Sequence, residues 1–90
     1  MRFEWDGRKA VANAKKHGIT FDEVATVFGD PLAVTFDDPN HSEDEDRFLT
    51  FGISANGKHI IVSHTPRGQN ERIISARPMT PSERSIYEQS

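Results

Sequence analysis

Residues 47–77, RFLTFGISANGKHIIVSHTPRGQNERIISAR, decide the fold. Apolar and polar side chains alternate with a period of two, and Asn56-Gly57 is a strong signal for a tight hairpin. It predicts that a strand over Arg47–Ser54 pairs antiparallel with one over His59–Thr65. Pro66-Arg67-Gly68-Gln69-Asn70 reads as a second turn, and Glu71–Arg77 as the next strand. Strict alternation places Ile60, Val62 and His64 on one face, opposite His59, Ile61, Ser63 and Thr65. It likewise groups Arg72, Ile74 and Ala76 opposite Ile73, Ser75 and Arg77. Both faces of the meander are partly apolar, so one meets helices and the other is free to meet a second chain.

Upstream, the period is helical. Asp6 is an N-cap, the alanine-rich run through Lys16 has good helix propensity, and Gly18 supplies a left-handed stop. Thr20 with Glu23 forms a capping box, followed by Phe21, Val24, Ala25 and Phe28 at helical spacing. Gly29-Asp30-Pro31 breaks that helix, and Leu32–Phe36 reads as a strand. Phe3-Glu4-Trp5 is either an edge strand or an arm over the core. Downstream, Thr80-Pro81-Ser82-Glu83 opens a last helix through Tyr87. The expected architecture is a single α+β domain over 1–90, with two N-terminal helices, a three- to four-stranded antiparallel meander and a C-terminal helix.

The 90 residues contain no cysteine, which excludes a disulfide scaffold and a thiolate metal site. No apolar stretch approaches the roughly 18 residues of a membrane span, and the start MRFEWDGRK lacks a signal peptide's apolar region, so a cytoplasmic protein is expected. The formal charge of −3 argues at first against nucleic acid. That total is a sum of opposed regions. Residues 37–46, DDPNHSEDED, carry six acids and no Lys or Arg, while the other 80 residues hold 11 positive and 8 negative charges. Arg8, Lys9, Lys15, Lys16 and His17 all fall in the first helix. So weak a global attraction predicts modest RNA affinity and a cationic or strongly hydrophobic contact for any protein partner.

Arg47, Arg72 and Arg77, with His64, lie in or at the ends of neighbouring strands. Clustered cations repel unless an anion joins them, either a carboxylate such as Glu45 or a phosphate from outside. The ordinary explanation is a surface ladder with Glu71, Glu43 and Asp46; for His64 it is a packed strand-end residue, and for His17 a helix-closing one. Metal-free RNA strand cleavage needs a base for the 2′-OH, an acid for the 5′ oxygen, and cations around the pentacovalent phosphate. Glu45, His64, Arg47, Arg72, Arg77 and Lys16 contain those parts. The acidic run, with Asp37, Asp38, His41, Glu43 and Glu45, offers oxygen ligands to Mg²⁺ or Ca²⁺ but lacks the glycine and the ligand spacing of a calcium loop.

FEWDGRKAVANAKKHGITFDEV at 3–24, GDPLAVTFDDP at 29–39, EDR at 45–47, and RIISARPMTPSER at 72–84 with the following Tyr87 together resemble the BrnT family. The resemblance implies a small RNA endonuclease of a type II toxin-antitoxin system with a RelE-like fold and no cofactor. It further implies growth arrest by RNA cleavage, silencing by a BrnA-type ribbon-helix-helix antitoxin in a hetero-oligomer, and operator DNA bound only through that complex. For the chain alone, a homodimer is left open. Residue by residue, the family's basic helix end maps to Lys16 and His17, its E-x-R to Glu45 and Arg47, and its strand-end histidine to His64. Its R-I-I-S-A-R arginines map to Arg72 and Arg77, and its C-terminal aromatic to Tyr87. Met79 stands where the family more often has a small residue. Two other readings stay open, a non-catalytic module that acts as corepressor and a metal-dependent hydrolase built on the acidic run.

Overall fold

The computed structural model describes residues 2–39 and 46–89. In chain order the elements are β1 (Arg2–Glu4), α1 (Gly7–His17), α2 (Phe21–Val27), β2 (Val34–Asp37), β3 (Phe48–Ile53), β4 (His59–Arg67), β5 (Asn70–Pro78) and α3 (Pro81–Glu88). The strands form one sheet in the order β1-β5-β4-β3-β2. This corrects the expected three- to four-stranded antiparallel meander. Five strands form a mixed sheet, because Arg2–Glu4 adds to β5 in parallel, Phe3 opposite Glu71. Glu4 anchors the pair by accepting hydrogen bonds from Asn70 Nδ2 (3.1 Å) and Arg72 Nη1 (2.9 Å).

Helix limits follow the caps. Asp6 accepts from the Arg8 and Lys9 amides, and Gly18, at φ 68°, ends α1 where Lys15, Lys16 and His17 complement the negative end of its dipole. Thr20 caps α2 by accepting from the Glu23 amide, but the Glu23 carboxylate turns away to Ser54 Oγ (2.7 Å) and Lys58. The expected box there is therefore half made; that of Thr80 and Glu83 in α3 is complete.

The β4–β5 hairpin runs further than expected, through Pro66 and Arg67, which pair with Glu71 and Asn70. Proline is tolerated there because β3 begins at Phe48, opposite His64, and has no strand beside Pro66. A β-bulge interrupts this hairpin: Ser63 pairs with Ser75 but His64 with Ile73, leaving Ile74 as the extra residue. Strict alternation fails at that point. Ile73 and Ala76 both enter one core, so Arg72 and Arg77 fall on the same face rather than on opposite faces.

Each face of the sheet has its own core. Ile19, Phe21, Val24 and Val27 cover Ile60, Val62, Ile73 and Ala76 on one side. Gly52 lets α2 come close, since a Cβ there would meet Val27 Cγ1 at 2.7 Å. On the other face Phe51 and Ile61 meet Met79 and Tyr87, the single buried residue of α3. Among the described residues no helix is long and apolar enough to cross a membrane.

Candidate nucleic-acid groove

β1 covers β5 only as far as Arg72, and beyond it α1 takes over the open edge. Asn13, buried in α1, accepts from the Ala76 amide (3.0 Å) and donates through Nδ2 to the Ile19 carbonyl (3.2 Å). An asparagine side chain thus does the work of a neighbouring strand, and it stands the basic side of α1 beside the sheet. Between them lies an open groove of about 720 Å³. Lys9, Lys16 and His17 line it from α1, Ser75 and Arg77 from β5, Ser63 from β4, and Arg47, Leu49 and Asp38 from the region of β3 and β2.

Arg77 is pre-set at the groove by α3. Its Nη1 and Nη2 donate to the two Glu83 oxygens at 2.7 and 2.8 Å. That hydrogen-bonded pair raises the Arg77 pKa and holds the Glu83 carboxyl well below the usual carboxylate range, at about 2. Nη1 also donates to the Pro78 carbonyl (3.3 Å), so the guanidinium keeps its Nε and the outer Nη2 N–H for a second anion. Two hydroxyls (Ser63, Ser75) and one half-buried imidazole (His17) stand among these cations, so the groove combines anion binding with groups able to hydrogen-bond or move a proton.

Residues 5–83 match the family model described as the ribonuclease toxin, BrnT, of a type II toxin-antitoxin system. The chain belongs to the BrnT family. The crystal structure of the Brucella abortus ribonuclease toxin BrnT shares the fold, with a TM-score of 0.65 and 23% identity over 89% of this chain and 97% of that one. A comparison with curated proteins finds no match.

Of the residues singled out in this BrnT-family sequence, the structure brings Lys16, His17, Arg47 and Arg77 into one groove. It does not bring Arg72, His64 or Tyr87 there. Arg72 shares the face of Arg77 but pairs with Glu4 at 2.9 Å, outside the groove lining. His64 lies on the opposite face, 5% exposed, with Nε2 2.6 Å from Thr50 Oγ1 and Nδ1 2.6 Å from Glu71 Oε2. Phe28 stands edge-on to its ring at 4.9 Å. Tyr87 is buried under α3 and donates to Asp30 Oδ2 at 2.6 Å; burial and that hydrogen bond push its phenol up to about 12. Burial also acts on Asp30, but the hydrogen bonds from Tyr87 and from the Ile53 and Leu32 amides outweigh it and lower its pKa. Glu45 lies outside the described residues, as do His41 and Glu43. Among the described residues no three His, Asp or Glu side chains gather as a metal site requires.

Asn13, Ser63, Ser75 and Asp38 were not legible as groove residues. The signal for Asn13 is a polar side chain on the stripe of Ala10 and Ala14; the two serines become neighbours only through the bulged register.

Proposed function

We propose that this chain is a metal-independent endoribonuclease toxin that cuts RNA in the α1–sheet groove. The observation that carries the reading is the gathering of Lys9, Lys16, Arg47, Arg77 and His17 along one groove of a chain from a ribonuclease toxin family. Arg47 and Arg77 hold the scissile phosphate and stabilise the extra charge of its pentacovalent state, and Lys9 and Lys16 carry the strand along α1. His17 is the groove group best suited to take the 2′-OH proton or to protonate the 5′ oxygen, since an imidazole has one ring nitrogen to accept a proton and another to donate one. Ser63 and Ser75 add donors to the non-bridging oxygens. His64, closed off with both ring nitrogens occupied, acts on this reading through the sheet rather than on the RNA. The same reading makes the protein a cytoplasmic toxin of RelE-like type that arrests growth. Its silencing partner is a BrnA-type ribbon-helix-helix antitoxin, and the complex represses its own operon.

Expression of the chain alone should arrest growth, and coexpression of the antitoxin should relieve the arrest. Purified protein should cut RNA in EDTA, and Arg47→Ala or Arg77→Ala should each lower kcat/KM by about 100-fold or more, the usual loss for one oriented donor at a reacting centre. Cleavage undiminished in the double variant removes this site; cleavage abolished by EDTA and restored by a divalent cation removes the metal independence.

A further inference from the structure

One large aromatic ring on the groove's own face stays partly open to solvent. Phe36 lies on β2 directly opposite Leu49 of β3. Residues opposed across an antiparallel pair project to the same side, and Leu49 lines the groove. Phe36 therefore flanks the end of the groove formed by Leu49, Arg47 and Asp38. The residue is 42% exposed. The remainder is fixed, edge to face at 73° and 5.3 Å between centroids, against the buried Phe51. A ring held this way presents a π-face at little further cost in side-chain entropy.

The lining changes character at that end. Beside Arg47 stand an apolar side chain, Leu49, and a carboxylate, Asp38. A nucleobase is uncharged and stacks on any aromatic face, so it suits this end of the lining. We infer that Phe36 is a base-stacking platform, on which an unpaired nucleobase lies next to the nucleotide whose phosphate meets Arg47. The inference rests on the RNA-cutting reading and adds a substrate class to it: single-stranded RNA, since a paired base has no free face to offer. Stacking of this kind tolerates all four bases.

The test is an abasic scan of a short, 2′-O-methylated single-stranded RNA whose binding is followed by fluorescence anisotropy. For the unaltered protein, removal of one base should weaken binding roughly 5- to 150-fold, the span that corresponds to about 1–3 kcal/mol per stacked base. Phe36→Leu keeps an apolar side chain on β2, so the sheet edge is preserved. It should bind the intact RNA weaker by a similar factor and be indifferent to the abasic position. Phe36→Trp should bind at least as well as the unaltered protein, and on cleavable RNA Phe36→Leu should raise KM with little change in kcat. Unchanged RNA binding by Phe36→Leu, with Arg77→Ala still impaired, overturns the inference and leaves the groove standing. Weaker antitoxin binding by Phe36→Leu at unchanged RNA affinity assigns the ring to a protein partner and overturns it too. If the unaltered protein neither binds nor cuts RNA, both readings fall together.

Discussion

The two faces of the sheet treat their polar residues in opposite ways. On the face under α1 and α2, His64 joins Thr50 and Glu71, and Thr50 in turn meets Thr35 at 2.8 Å. This chain crosses β5, β4, β3 and β2, and each of its polar atoms finds its partner within the protein. On the face that carries α3, one helix leaves part of the sheet uncovered, and Ser63, Ser75 and Arg77 there line an open groove. Two histidines in one chain therefore do different work: His64 is walled in by Phe28, and His17 faces the groove. Residue type is the same. Coverage by a helix decides the difference.

The largest effect expected from this contrast is in packing. Phe21 is fully buried on the closed face, and Phe21→Ala should cost about 3–5 kcal/mol in denaturant unfolding. Leu49, half-buried on the open face, should lose only about 1 kcal/mol on truncation to Ala. Equal losses would mean that the groove face is as tightly covered as its opposite.

The histidines sharpen the contrast chemically. His64→Ala leaves Thr50 and Glu71 without their shared partner and should destabilise by about 2–3 kcal/mol, while folded protein well below its Tm keeps most of its cleavage rate. His17→Ala should leave Tm nearly unchanged and slow cleavage by about 100-fold or more, as loss of a proton-transfer group does. Rates and melting curves on the same samples separate the two outcomes. A fully folded His64→Ala protein that no longer cuts RNA would break the division between the faces.

Much of the fold is legible because its signals are local. Asp6, Gly18 and Thr20 set the limits of α1 and α2, Asn56-Gly57 sets the β3–β4 hairpin, and Thr80 with Glu83 starts α3. What escapes a reading of the sequence is long-range. No turn residue announces that Arg2–Glu4 pairs with Asn70–Arg72, a parallel contact across most of the chain. The bulge at Ile74 carries no glycine to mark it, yet it turns Arg72 and Arg77 to one face. The basic helix end and Arg77 are visible as candidates, but their meeting depends on Asn13 binding an edge that β1 leaves open. For His64 the deciding neighbour, Phe28, comes from another element.

The smallest expected effect concerns the Arg77–Glu83 pair, which sits on the open face with Arg77 45% exposed. The Arg77 hydrogen bonds bring the Glu83 pKa from its ordinary 4.5 down to about 2. A carboxyl that is more acidic in the folded chain adds stability that is complete above pH 4.5 and is lost as pH falls through about 2. Solvent screens so exposed a pair, so its worth is about 1 kcal/mol rather than the full amount such a shift implies. Glu83→Gln keeps an oxygen for the Thr80 amide and hence the cap, but abolishes the titration. Glu4, Asp6 and Asp30 are also shifted down and titrate in both proteins, so the difference between the two Tm curves from pH 5 to pH 2 isolates Glu83. The unaltered protein should start the more stable and converge on the variant as acid is added. Parallel curves would show that Glu83 holds Arg77 in place without stabilising the fold, leaving the pair's value entirely in the orientation of the groove arginine.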